Sequence, residues 1–344
     1  MSRLLPALAL LASLPACTAP ASSLPSRCEA IEVDATRELV VTDSDVVGDP
    51  AFDFARIMGA VLGSDADVGA RRWMDAWATM PGEMVVASEV TGPWAAESAG
   101  KLDLRRAPFE LVAVANRVDL ATLGPGRAGE IRFVYGLVTA GTRRRLTVNV
   151  EIQLPPTRTP NEWASSWHVL GSLTGDDFRS GVETLAADVL AQPPRGQVRT
   201  QDAQCGAPVL LEFDMHAGTP LVPSALVNQP AGDVAPAELA SFVLAHQDQV
   251  LADAEELPIT MLATSAKATP SDPALPRVSP DLADAFANTT CTGCHTSEPT
   301  LDGAFHISPL RRGQEALSGF LLGANGSQGE LSRREEVLRG LLCQ

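Results

Sequence analysis

Residues 145–154 read Arg-Leu-Thr-Val-Asn-Val-Glu-Ile-Gln-Leu. Leu146, Val148, Val150 and Ile152 alternate with Thr147, Asn149, Glu151 and Gln153, the period of two that a pleated strand imposes on side chains pointing to opposite faces. The alternation predicts a half-buried strand, apolar toward a core and polar toward water. Two other β-rich segments precede it, 109–115 (FELVAVA) and 130–138 (EIRFVYGLV). Ala140-Gly141-Thr142 reads as a turn, so the second and third segments are expected to form a hairpin. A further strand pair is expected around 196–202 and 208–214.

Apolar residues three and four apart mark helices at 51–62 and 69–80, with Phe54, Ile57, Met58, Val61, Trp73 and Trp77 facing inward. Both tryptophans read as core rather than as a ligand platform. More helices are expected from Asn161-Glu162-Trp163 to about Leu170, from Asp176 to Leu190 and from Ala235 to Ala252. Strands grouped together with helices around them predict an α+β body of antiparallel strands. Residues 265–280 (SAKATPSDPALPRVSP) carry prolines and no large apolar cluster, the composition of a linker. The expected organisation is a signal peptide at 1–16, a tether at 17–45, an α+β domain at 46–264, a Pro-rich linker at 265–279 and a small, mostly helical segment at 280–344.

The 344-residue chain has 26 Lys plus Arg against 42 Asp plus Glu, a net charge of −16. Nucleic acid is not an expected partner, because phosphate binding needs clustered positive charge. Arg3 precedes an apolar stretch from Leu4 to Leu14, the layout of a secretory signal and too short to span a bilayer. Leu14-Pro15-Ala16-Cys17 then resembles the lipobox of bacterial lipoproteins, although Pro15 departs from the usual pattern. The resemblance implies cleavage before Cys17, a lipid on its sulfur and attachment to an envelope membrane, periplasmic or outer. The alternative is an ordinary signal cut near Ala16 or Ala19, which would release a soluble protein. Export implies an oxidising compartment. With Cys17 lipidated, Cys28, Cys205 and Cys343 would supply one disulfide and one odd thiol, the pairing being open.

Ser279-Pro280-Asp281 supplies an N-cap, a proline at the first helical position and an acid in the first turn. The helix it starts leads into Cys291-Thr-Gly-Cys294-His295, which is Cys-x-x-Cys-His, the attachment signature of c-type haem. On a helical turn these side chains stand at i, i+3 and i+4 and leave one face. Two thiols can then add to the vinyl groups of one haem while His295 binds its iron. The segment resembles the start of class I cytochrome c domains. In that resemblance Ser308-Pro309-Leu310 corresponds to the proline segment beside the proximal histidine, and Glu330 to Leu342 to a closing helix packed on the first. Met261 is the last methionine, so no distal Met comes from this segment, and His306 is the candidate second axial ligand. His168, His216 and His246 belong to the body. Because only residues 296–344 follow the motif, the body is expected to help cover a haem edge.

Two other uses of these residues stay open: a Cys291–Cys294 disulfide with His295 incidental, or zinc held by Cys291, Cys294 and His295 or His306. Export weighs against thiolate zinc, since thiols that meet oxidant first are lost as disulfides. The lipobox, Asn116-Arg117-Val-Asp119-Leu120, Gly129-Glu130-Ile-Arg132-Phe133 and the closing Cys-x-Gly-Cys-His together resemble a group of uncharacterised bacterial envelope lipoproteins, a resemblance that implies no known activity. Arg117, Asp119, Glu130 and Arg132 alternate in sign at strand ends and read as an ion-pair network rather than a ligand site. The expectation is a membrane-tethered haem protein that transfers electrons to an envelope redox partner. A non-redox binding lipoprotein is the alternative, and a haem peroxidase would require an open sixth position.

Overall fold

Each segment of β character pairs with the next in chain order. In the computed structural model, which describes residues 30–344 apart from 82, 84, 124–127, 206, 217–218, 252–255, 268–274, 298–299, 303 and 324–327, eight strands form one antiparallel sheet. Its order is β1 (Val40–Val41), β2 (Phe109–Asn116), β3 (Glu130–Thr139), β4 (Thr142–Gln153), β5 (Arg195–Asp202), β6 (Val209–His216) and β7 (Val222–Ser224). β8 (Ser265–Lys267) pairs with the first half of β6, where β7 does not reach. The architecture is α+β, as expected. The signal peptide, Cys17 and Cys28 lie outside the described residues.

The β3–β4 hairpin turns on Ala140 (φ 48°) and Gly141 (φ 71°). Two successive left-handed residues give the turn whose twist matches that of the strands, and β4 consequently starts at Thr142, ahead of the alternating run. Phe133, Val150, Val198 and Phe213 form one lateral row on the apolar face. Trp73 and Trp77 approach Phe213 with ring centroids 6.1 and 6.4 Å away, and Phe54 stacks on Phe109 at 4.6 Å. Both tryptophans are fully buried, core residues as the sequence indicated. Burial of each such side chain contributes about 1.5–3 kcal/mol. Thr159 and Glu162 form a capping box that starts the Pro160–Gly171 helix, which carries Trp163 and Trp167 into the same core.

The opposite face of the sheet corrects the half-buried reading of β4. Thr147 and Glu151 are 2% and 1% exposed, so the polar side of the alternation is buried as well. Three lateral rows cross this face: Gly136–Thr147–Gln201–Leu210, Val134–Asn149–Arg199–Glu212 and Arg132–Glu151–Gln197–Asp214. Their charges are paired across strands. Arg132 Nη1 lies 3.3 Å from Glu151, Gln197 Nε2 donates to Glu151 at 2.7 Å, and Arg199 Nε donates to Glu212 at 2.8 Å. Buried charges persist only with such partners.

The C-terminal residues cover this polar face. Gly136 lies so close to Pro309 that a Cβ there would stand 2.9 Å from the proline Cβ, Gln201 bonds the Ala304 carbonyl, and Cys291 packs on Leu210, Leu226 and Ala266. The stretch expected as a linker at 265–279 opens instead with β8 inside the sheet. Nor does the segment close on itself. The helix Pro280–Thr289 shares a core with Leu239, Val243 and Val250, whereas Leu331, Leu338 and Leu341 of the helix Glu330–Leu342 join the main core. That last helix packs against Pro160–Gly171 and Ala35–Leu39 rather than on the first helix of the segment. Arg333 ties it to the body through Asp119, beside the Arg117–Asp119 pair, while Glu330 pairs with Arg333 and Arg334 within the helix itself. The alternating charges at 117–132 are thus an ion-pair network, as expected. Cys343 is disulfide-bonded and Cys205 is an exposed free thiol. Among the described residues no helix is long and apolar enough to cross a membrane.

Candidate functional site

The Cys-x-x-Cys-His motif is a helical turn. Pro280–Thr289 begins where Ser279 accepts from the Leu282 N–H, as its sequence signals require. It ends at Thr290, whose extended backbone breaks the helix, and a second helix, Cys291–Ser297, starts at once. Thr290 caps this second helix: its carbonyl accepts from Cys294 N–H at 2.9 Å and its hydroxyl from Gly293 N–H at 3.0 Å. Gly293 lies against the end of the preceding helix. A Cβ at that position would stand 1.9 Å from the Ala287 carbonyl oxygen, so only glycine admits the sharp junction. Gln229 holds the turn from the body side, accepting at Oε1 from both the backbone N–H and the hydroxyl of Thr292.

Cys291, Cys294 and His295 therefore stand at i, i+3 and i+4 on a real helix, and both cysteines are thiols rather than a local disulfide. Burial pushes the Cys291 thiol up to about 11, against the opposing pull of Arg199. A thiol so raised is a poor nucleophile at neutral pH, which weighs against dithiol exchange chemistry at this pair. Cys294 Sγ stands 3.2 Å from His306 Nε2.

His295 Nδ1 lies 2.6 Å from the Ala304 carbonyl oxygen. A carbonyl can only accept, so Nδ1 carries the hydrogen and Nε2 keeps the lone pair. This is the tautomer a metal-ligating histidine needs, with its remote nitrogen oriented by a backbone acceptor. The acceptor is Ala304 rather than the 308–310 segment, whose Pro309 packs on Gly136 instead. Burial holds His295 below its ordinary value and His306 well below it, so both imidazoles are neutral at physiological pH.

The structure brings His306 to the turn. Its ring lies 4.5 Å from that of His295 and 4.2 Å from Phe320, centroid to centroid, and its Nδ1 is buried without a hydrogen-bond partner among the described residues. A buried polar nitrogen with no partner is uncommon and asks for a ligand or a function. His168 instead meets Glu38 at 2.8 Å, His246 faces Phe242, and His216 is exposed on the last residue of β6. A flat ring needs about 7 Å between the atoms stacked on its two faces. The tilted His295–His306 pair is narrower, so a macrocycle between the two rings requires His306 to move away from His295. The donor set and the histidine tautomer otherwise suit covalent haem: two thiols and one available imidazole nitrogen leave a single turn.

For zinc the arrangement is less suited. Among the described residues no group of three or more His, Cys, Asp or Glu side chains is gathered to hold a metal ion. A cavity of about 810 Å³ lies elsewhere, between Thr36–Phe54 and Arg312–Gln314, and no cysteine or histidine lines it. Gly293 stands inside the motif and Thr290 immediately before it, where a threonine ahead of a helix is a cap signal, although neither was singled out from sequence. Gln201, Gln229, Ala304 and Phe320 carry no such signal, because each reaches the turn from distant sequence or through a backbone atom. The chain matches no family model, no curated protein and no solved structure.

Proposed function

We propose that this chain is an exported lipoprotein, anchored through Cys17, that carries covalent c-type haem on Cys291, Cys294 and His295 and passes single electrons to a redox partner in the bacterial envelope. One observation carries the reading: the three donors leave one helical turn, with His295 Nδ1 committed to the Ala304 carbonyl and Nε2 left for iron. Haem supplies a one-electron iron couple whose potential follows axial ligation, burial and hydrogen bonding. Cys291 and Cys294 would fix the ring, and His295 would orient it. The polar sheet face and the residues 304–322 would keep water from its buried edge, so the 280–344 segment works as a cytochrome c-like unit only in company with the body. His306 is the candidate sixth ligand, its half-buried, neutral imidazole lying next to the turn, and it would serve once its ring moves away from His295 to the far face of the macrocycle. The net charge of −16 favours a partner with a basic docking surface and no nucleic acid.

Protein matured in a host competent for cytochrome c assembly is expected to keep its haem through acid-acetone extraction and to give a pyridine haemochrome of the c type. Complete loss of haem, or stoichiometric zinc in its place, rejects the reading. His306→Ala is expected to turn a low-spin reduced spectrum into one that binds carbon monoxide; an unchanged spectrum removes His306 from the ligand set.

A further inference from the structure

We infer that Gln201, a residue of the body sheet, is a positioning residue for the haem-binding turn, acting on His295 through the Ala304 carbonyl they share. The inference rests on the haem reading above. Gln201 is 5% exposed and stands on β5 in the row Gly136–Thr147–Gln201–Leu210, directly beneath the C-terminal segment. Its Nε2 donates to Ala304 O at 2.8 Å, and the same oxygen accepts from His295 Nδ1 at 2.6 Å. Nε2 also lies 3.5 Å from His295 Nδ1. With Nδ1 already a donor, that approach joins two N–H groups and is no bond; both converge on one acceptor.

A backbone carbonyl has two lone pairs and can serve both donors. The loop that presents it is itself constrained, with Leu301 and Phe305 exchanging backbone bonds and Ala304 N–H donating to Leu301 O at 3.1 Å. Among the described residues, Gln201 adds the one side-chain bond from the body to that oxygen. Its electrical effect has a definite sign. Electron density drawn toward the amide of Gln201 is withheld from the His295 N–H, so the imidazole keeps less imidazolate character and Nε2 donates less strongly to iron. Without Gln201 the carbonyl would turn wholly to His295, Nε2 would become the stronger donor, and the ferric state would gain.

The test uses full-length protein matured with haem and three variants: Gln201→Met, which keeps volume but removes the donor; Gln201→Asn, which keeps the amide but shortens its reach; and Thr147→Val, a control in the same buried row. Both Gln201 variants are expected to keep covalent haem and to show a lower reduction potential in spectroelectrochemical titration. In the reduced protein the His295 Nδ1–H proton resonance should move downfield, while Thr147→Val leaves both readouts unchanged. A wild-type protein without covalent haem sinks the functional reading, and this inference with it. Retained haem with an unchanged or raised potential in both Gln201 variants overturns the inference alone, as does failure of both to yield folded haem protein, which would make Gln201 a purely structural anchor.

Discussion

Gly293 shows how one residue in the motif serves the fold rather than the chemistry. The haem signature leaves its two middle positions open, yet here the second must be glycine, because any Cβ collides with the Ala287 carbonyl. Gly293→Ala is expected to destabilise the protein by roughly 2–4 kcal/mol and to reduce covalent haem yield; a thermal midpoint equal to that of the wild type would contradict the packing described. Asp202 gives a second test. Burial, with Glu83 adding to it, raises this carboxyl from 3.8 to about 6 despite the bonds from Gln204. An acid raised on folding contributes stability that is present below its unfolded value and lost as pH rises through the folded one. Asp202→Asn should therefore stabilise the protein by about 2–3 kcal/mol above pH 6 and by little below pH 4. Denaturant midpoints across that range would show the convergence, and a constant offset would refute it.

Among the elements, the C-terminal helix Glu330–Leu342 most changes the picture drawn from sequence. Its leucines read as the inner face of a helix closing a small cytochrome c-like unit, and the helix does form. Its partner is the body, because Leu331, Leu338 and Leu341 join the main core and Arg333 meets Asp119 next to Arg117. Burial pushes Asp119 up, but Arg117 and Arg334 outweigh it and hold the carboxyl well below the usual range. Asp119→Asn leaves Arg117 and Arg334 buried around a neutral group and is expected to cost about 3–5 kcal/mol at pH 7. The sign of the linkage runs opposite to that of Asp202: a depressed carboxyl stabilises above its unfolded value and less as pH falls below it. The gap between wild type and Asp119→Asn should accordingly narrow in acid, which chemical denaturation at pH 7 and pH 3 would measure.

At the scale of the molecule, body and C-terminal segment share cores and a buried polar layer, so they should unfold together. In haem-free protein the emission of the buried tryptophans and the far-ultraviolet helix signal are expected to change over one temperature range, because body and segment share their cores. Two separated transitions would mean a segment that folds and opens by itself. The sequence by itself determined much of this molecule: the strand runs and their hairpin, the Ser279 cap, the core role of Trp73 and Trp77, and the helical spacing of Cys291, Cys294 and His295. All of these depend on local periodicity and turn chemistry, which neighbouring residues fix among themselves. Only the tertiary structure decided that the polar side of β4 is buried, that the last helix belongs to the body, and that Gln201 and His306 meet at the turn. Alternation distinguishes the two faces of a strand but does not say what lies on either. Gln201 and Ala304 are separated by 103 positions, and the contact between them depends on how the sheet and its covering segment pack.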